Sequence, residues 1–140
     1  MKRLFLVLFF TVVTVSSANA QSTLVLQEKC AEGAKKFFLD CGGYGSRSED
    51  SSITCNYTSH YNKKLDKCFI RINCLTLHLK HKEGELREAN TLCFQVIDIF
   101  ERKSHGEYET LPVFSWCEVG NKKCDSLEEF EALVKPYMEE

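Results

Sequence analysis

The sequence has only two prolines and seven glycines in 140 residues, too few of either to supply linkers between separate domains. It also lacks a cationic excess, with 18 Lys plus Arg against 20 Asp plus Glu. Nucleic-acid binders draw much of their affinity from neutralising phosphates, so nucleic acid is set aside as a partner. Beyond the first twenty residues no apolar run is long enough to cross a bilayer. Catalytic signatures are missing as well: G-x-S-x-G, H-E-x-x-H, a phosphate-cradling glycine loop and C-x-x-C do not occur, so no cofactor is implied. What is there is ordinary globular composition, 44% hydrophobic and 27% charged. That excludes wholesale disorder and a multi-span membrane protein.

Lys2 and Arg3 precede an apolar run from Leu4 to Val15, followed by Ser16, Ser17 and the small-residue pattern Ala18-Asn19-Ala20. This is the order of a secretory signal, with cleavage expected after Ala20. Twelve residues at about 1.5 Å each give about 18 Å of helix, short of the roughly 30 Å hydrocarbon core. The expected division is therefore 1–20 as signal peptide and 21–140 as a single globular domain, periplasmic or secreted, with no membrane contact after cleavage. Without Lys2 and Arg3 the mature chain keeps 16 basic and 20 acidic residues, a net charge of −4.

All eight cysteines, at 30, 41, 55, 68, 74, 93, 117 and 124, lie in the mature part. An even count in an exported chain reads as four disulfides. The run from Cys117 to Cys124 has Gly120-Asn121 at its centre, and a two-residue hairpin turn there sets 117 opposite 124, within disulfide reach. Glu83-Gly84 as a turn sets 82 opposite 85 and 74 opposite 93, a second expected bridge. A helix over the string Glu85–Ala89 is the rival that would destroy this register. Cys30 and Cys41 are about 16 Å apart on one continuous helix and cannot join. Two choices remain open: Cys30–Cys55 with Cys41–Cys68, or Cys30–Cys68 with Cys41–Cys55, towards which the reading leans. A metal site is disfavoured, because the tightest cysteine spacings are C-x5-C and C-x6-C. The other candidate set, Cys74, His78 and His81, places its two histidines on opposite faces of a strand.

The hydrophobic pattern gives an α+β domain: an N-terminal helix, about four antiparallel strands and a short C-terminal helix, stabilised by disulfides. Cys30, Ala34, Phe37, Phe38 and Cys41 recur at helical spacing over Gln27–Asp40, and Gly42, Gly43 and Gly45 stop that helix. Ser46 to Ser52 reads as a loop. Strands are expected at Ile53–Tyr61, Cys68–Lys80, Thr91–Arg102 and Glu107–Trp116, the first two joined by a turn over Asn62–Asp66 and the last marked as an edge by Pro112. Ile70 and Ile72 share one face, whereas Leu75, Leu77 and Leu79 share the other, so a bulge is expected near Asn73 and Cys74. Ser126 with Glu129 forms a capping box ahead of a helix that Pro136 limits to about three turns.

Of four histidines, His78, His81 and His105 read as solvated surface. His60 stands in Ser59-His60-Tyr61-Asn62-Lys63-Lys64, where an imidazole, a phenol, an amide and two ammonium groups share one hairpin tip. His60, Tyr61, Asn62, Lys63 and Lys64 are the candidate binding residues, suited to a protein partner or a small anionic ligand. Trp116, Phe114, Tyr108 and Tyr57 read as sheet packing. The leading expectation is a non-enzymatic exported binding domain. The alternative is a small hydrolase in which His60 works with a carboxylate. A redox protein is a third reading.

The stretch from Ser59 to Phe69, with the pattern H-Y-N-K-K-L-x-K-C-F, the later stretch from Cys124 to Phe130 and the ending Lys135-Pro136-Tyr137-Met138-Glu139-Glu140 resemble an uncharacterised family of small exported bacterial proteins. The resemblance implies export and a hairpin tip shared by the family. It implies no activity.

Overall fold

A computed structural model of the chain describes residues 22–48, 50–82, 85–110 and 115–139, and for 79–82 and 85–89 the backbone only. The expected signal segment, the Glu83-Gly84 turn, Pro112 and Phe114 lie outside the described residues. Helix α1 (22–40) leads into β1 (Gly45–Arg47), β2 (Ser51–Asn62), β3 (Lys67–Lys82), β4 (Glu85–Asp98), β5 (Lys103–Thr110), β6 (Ser115–Val119) and β7 (Lys122–Lys123), and helix α2 (Leu127–Met138) follows. Each strand pairs antiparallel with the next, so the seven-stranded sheet is ordered β1 to β7.

The α+β class agrees with the sequence, but among the described residues the strands number seven rather than about four. The expected strand at Glu107–Trp116 divides into β5 and β6. The other additions, β1 and β7, are exposed throughout, and an edge strand with no buried face carries no apolar alternation to read. Gly45 shows why β1 fits so closely: its φ is 119°, and a β-carbon there would fall 2.0 Å from the Ile53 carbonyl oxygen. Glu85–Ala89 is strand, paired with Lys82 to His78. Ladder pairing overrides its helix propensity.

The bulge expected near Asn73 and Cys74 is absent, and β3 pairs with β4 without interruption from Phe69 to Lys82. Leu75 and Leu77 change face because the strand simply alternates, and Leu75 remains 36% exposed. The register shift lies instead between Val96 and Ile97, opposite β5.

Two cores sit on opposite faces of the sheet. On one, Cys30, Ala34 and Phe38 of α1 pack on Cys55 and Tyr61 of β2, Cys68, Ile70 and Ile72 of β3, and Ile99. On the other, Phe130 and Val134 of α2 pack on Phe69, Val96, Tyr108 and Val119. Strand period two sends Phe69 to one core and its neighbours Cys68 and Ile70 to the other. Burying each of these large side chains contributes about 1.5 to 3 kcal/mol. Gly106 lets α2 approach closely, since a β-carbon there would meet Val134 Cγ1 at 3.0 Å and Val119 Cγ2 at 3.2 Å. Ser126 caps α2 as expected, its hydroxyl accepting from Glu129 N at 3.1 Å. The Glu129 carboxylate accepts from Asp125 N at 3.0 Å, one residue earlier than the capping box predicts.

Three disulfides are formed. Cys117–Cys124 and Cys30–Cys68 follow the expected pairings, with α-carbons 5.0 and 5.4 Å apart. The third joins Cys55 to Cys74, so Cys74–Cys93 and Cys41–Cys55 are not formed, and Cys41 and Cys93 are free. The expected register is nevertheless present: Cys74 stands opposite Cys93. It also stands opposite Cys55 on its other side, and one sulfur cannot bond both. Three disulfides suit an oxidising compartment. Among the described residues no helix is long and apolar enough to cross a membrane.

Candidate functional site

The β2–β3 tip does not present its five candidate residues together. Tyr61 and Asn62 are buried, His60 is half-buried, and Lys63 and Lys64 are exposed. The Tyr61 hydroxyl donates to Asp66 Oδ1, and its backbone N–H donates to Gln27 Oε1 at 2.9 Å, tying the tip to α1. The hydrogen bond to Asp66, then burial, then the carboxylate charge raise the Tyr61 phenol above its ordinary range. Asn62 Nδ2 donates to the Pro136 carbonyl at 2.8 Å, with Tyr137 O at 3.3 Å and Glu139 O at 3.4 Å. Its Oδ1 accepts from Leu65 N at 3.0 Å. Asn62 therefore serves helix-end carbonyls that would otherwise lack donors. His60 Nε2 is buried without a hydrogen-bond partner among the described residues. Nor do the described residues contain a group of His, Cys, Asp and Glu fit to hold a metal ion.

Several charges are consumed in holding the fold. Lys67 Nζ lies 2.9 Å from Asp98 Oδ2 and 2.7 Å from Glu101 Oε2. Asp98 Oδ1 also accepts from Phe100 N at 3.0 Å and Glu101 N at 3.3 Å, fixing the β4–β5 turn. Burial pushes the Asp98 carboxyl up, but the hydrogen bonds from Lys67 and the two backbone N–H groups outweigh it, and the group titrates below the ordinary carboxylate range. The Glu101 and Asp98 hydrogen bonds raise Lys67. Arg71 pairs with Glu131 of α2 and lies 5.4 Å from the centre of the Phe94 ring.

Glu107, Glu109 and Glu118 are different, since none of them has an ion-pair partner among the described residues. Glu107 stands directly opposite Glu118, and Glu109 directly opposite Trp116. Residues two apart on a strand share a face, so Glu107 and Glu109 on β5 and Trp116 and Glu118 on β6 form one surface. Cys93 and Gln95 of β4 continue it, being opposite Glu109 and Glu107. It is the face on which α1 packs, but α1 packs at the β2–β3 end. Trp116 is 45% exposed, which makes it an edge aromatic rather than a core one, whereas Tyr108 is buried. A shallow cavity of about 230 Å³ at this end of β5 and β6 is lined by His105 as well as by Ser104, Glu107, Trp116, Glu118 and neighbouring residues. Glu107 and Glu118 repel as like charges directly opposed across a strand pair, while Lys123 of β7 stands directly opposite Glu118 on its other side.

On the other side of β5, His105 packs edge-on against Phe69 with ring centres 5.3 Å apart, and against Tyr137 at 5.0 Å. Its Nε2 is buried and unpartnered among the described residues. Burial first, then the Lys67 and Lys103 charges, lower its pKa. It is thus an element of the α2 core, where the sequence suggested solvated surface.

The spacing of Glu107 with Glu109 and of Trp116 with Glu118 was a usable signal, because alternation puts each pair on one face. The sequence could not show that the two pairs are neighbours. No protein-family model, curated protein or solved structure matches the chain.

Proposed function

We propose that this chain is a non-enzymatic binding domain, exported to the periplasm or secreted, which takes a cationic segment of another protein on the open β4–β6 face around Trp116. The observation that carries the reading is an exposed tryptophan set among three carboxylates that form no ion pair among the described residues, Lys123 opposite Glu118 being the cation nearest in register. An indole face beside carboxylates suits a lysine or arginine side chain through cation–π attraction, worth about 0.5 to 2 kcal/mol, and through charge. Tryptophan is also a frequent anchor of interfaces. The contact surface shifts from the hairpin tip to the sheet, because Tyr61 and Asn62 are engaged within the fold.

Trp116 is the single tryptophan, so its fluorescence reports on the surface directly. Titration with a lysine- and arginine-rich peptide is expected to shift the emission saturably, with affinity falling as salt rises. Trp116→Ala, followed by calorimetry, is expected to weaken binding about thirtyfold, the scale of a 2 kcal/mol anchor. A peptide of acidic composition that bound equally well, or no response to the basic one, would refute the proposal.

A further inference from the structure

Cys55, Cys74 and Cys93 occupy one transverse row of three adjacent strands, Cys55 directly opposite Cys74 and Cys74 directly opposite Cys93. Directly opposed residues point to the same side of the sheet, so the three sulfurs follow one another across neighbouring strands about 4.8 Å apart. The Cys55–Cys74 bridge spans α-carbons 4.1 Å apart, the spacing of a pair that exchanges no backbone hydrogen bonds. The Cys55 N–H in fact turns away, donating to Tyr44 O at 2.9 Å. In an antiparallel sheet a central residue that does not bond one neighbour bonds the other, so Cys74 and Cys93 form the hydrogen-bonded kind of pair, with α-carbons about 5.5 Å apart. That separation falls in the ordinary range for a disulfide.

From this row we infer that the chain contains an internal thiol–disulfide exchange site, in which the bridge migrates between Cys55–Cys74 and Cys74–Cys93 with Cys74 as the shared sulfur. The Cys93 thiol loses its proton to water, and its thiolate attacks Cys74 Sγ from the side opposite Cys55. The new Cys93–Cys74 bond forms as the Cys74–Cys55 bond breaks. Cys55 leaves as a thiolate and takes up a proton. One thiol and one disulfide stand on each side of the step, so no oxidant or reductant is consumed. A row of three sulfurs matches the line of attack that thiol–disulfide exchange requires. Cys93 is half-buried, and burial, with the Glu109 and Glu107 carboxylates facing it from β5, pushes its thiol up. Exchange therefore speeds up as the medium becomes more basic and a larger share of Cys93 is thiolate. The inference does not rest on the docking proposal, although the row runs into the same face.

The test uses the full chain carrying Cys41→Ser, which leaves Cys93 as the one unpaired thiol. The protein is held at about pH 8.5, near the ordinary thiol pKa, quenched in acid, unfolded, alkylated with N-ethylmaleimide and mapped by mass spectrometry. Label is expected on both Cys55 and Cys93, in shares within about tenfold of each other because the two bridges have similar settings. A Cys74–Cys93 linked peptide should accompany the Cys55–Cys74 one, in the same ratio at every protein concentration. Label confined to Cys93 would overturn the inference, as would label spreading to Cys30, Cys68, Cys117 or Cys124, which would signal general unfolding. A second variant, Cys93→Ser with Cys41 retained, should lose all Cys55 label. Persistence of that label would make Cys41 the attacking thiol and also overturn the inference.

Discussion

Replacing Asn62 separates two meanings of the hairpin tip, a surface for ligands and a clamp on the last turn of α2. Asn62 is 1% exposed, and its amide reaches the Pro136 carbonyl at 2.8 Å while its oxygen holds Leu65 N at 3.0 Å. Asn62→Ala leaves one carbonyl and one N–H without these partners. At about 1 to 3 kcal/mol for each buried orphan, with some recovery by water, the expected loss is about 2 to 4 kcal/mol. For a chain of this size that lowers the melting temperature by about 8 to 16 °C. Asn62→Asp keeps the shape but faces carboxylate oxygen towards the carbonyls at the negative end of a helix. Burial and those dipoles raise the new carboxyl's folded pKa above its unfolded value of about 3.9. A raised acid is penalised only where the unfolded chain would ionise, so the Asp variant should match the parent most closely below about pH 4 and fall behind Asn62→Ala as the pH rises. Urea unfolding with the disulfides intact, followed by Trp116 fluorescence and far-ultraviolet circular dichroism, measures both differences. An alanine variant within about 0.5 kcal/mol of the parent, or an aspartate variant equal to alanine at neutral pH, would refute the clamp.

Gly106→Ala places a methyl group 3.0 Å from Val134 Cγ1 and 3.3 Å from Phe130 Cε2, and overpacking of that kind should cost about 1 to 3 kcal/mol by urea unfolding. An unchanged midpoint would show that α2 stands farther from β5. Both His105 and Asp98 have lowered pKa values, so each contributes stability above its unfolded pKa and loses it as pH falls through the folded value: below about 6.5 for His105 and below about 3.9 for Asp98. His105→Phe should flatten the upper step and Asp98→Asn the lower one in a stability profile against pH, and profiles parallel to the parent's would contradict this. Replacing Cys117 and Cys124 together by serine opens a loop of sequence separation 7 and should cost about 2 to 3 kcal/mol in denaturant unfolding. A loss below about 0.5 kcal/mol would mean that the β6–β7 turn holds itself.

The local features were legible because the signals for them are local. Gly120-Asn121 marked its hairpin, Ser126 its helix start, and Glu83-Gly84 the register that sets Cys74 opposite Cys93. The disulfide set was only partly legible for a definite reason. Counting outward from the 63–66 turn sets Asn62 opposite Lys67 and Cys55 opposite Cys74 as well as counting from the other turn sets Cys74 opposite Cys93. Two correct registers compete for one sulfur, and sequence does not rank them. The tip misled because polar residues can point inward: Asn62 is as polar as any ligand-binding residue, and the carbonyls its amide nitrogen donates to lie 74 to 77 positions away. The β5–β6 surface escaped notice because its charge depends on which strands become neighbours. Glu107 and Glu118 are separated by eleven positions, and their sequence spacing does not announce that they meet.

Strand β3 is a party wall between two interiors, with Cys68, Ile70 and Ile72 on one side and Phe69 on the other. A slip of one residue would carry the Arg71 guanidinium beneath α1 and empty the place that Phe69 fills against α2. Neither half of the molecule could tolerate the error alone. The covalent tie from Cys30 to Cys68 therefore does more than shorten the unfolded chain: it bolts the wall at a single setting, and the two interiors should melt as one.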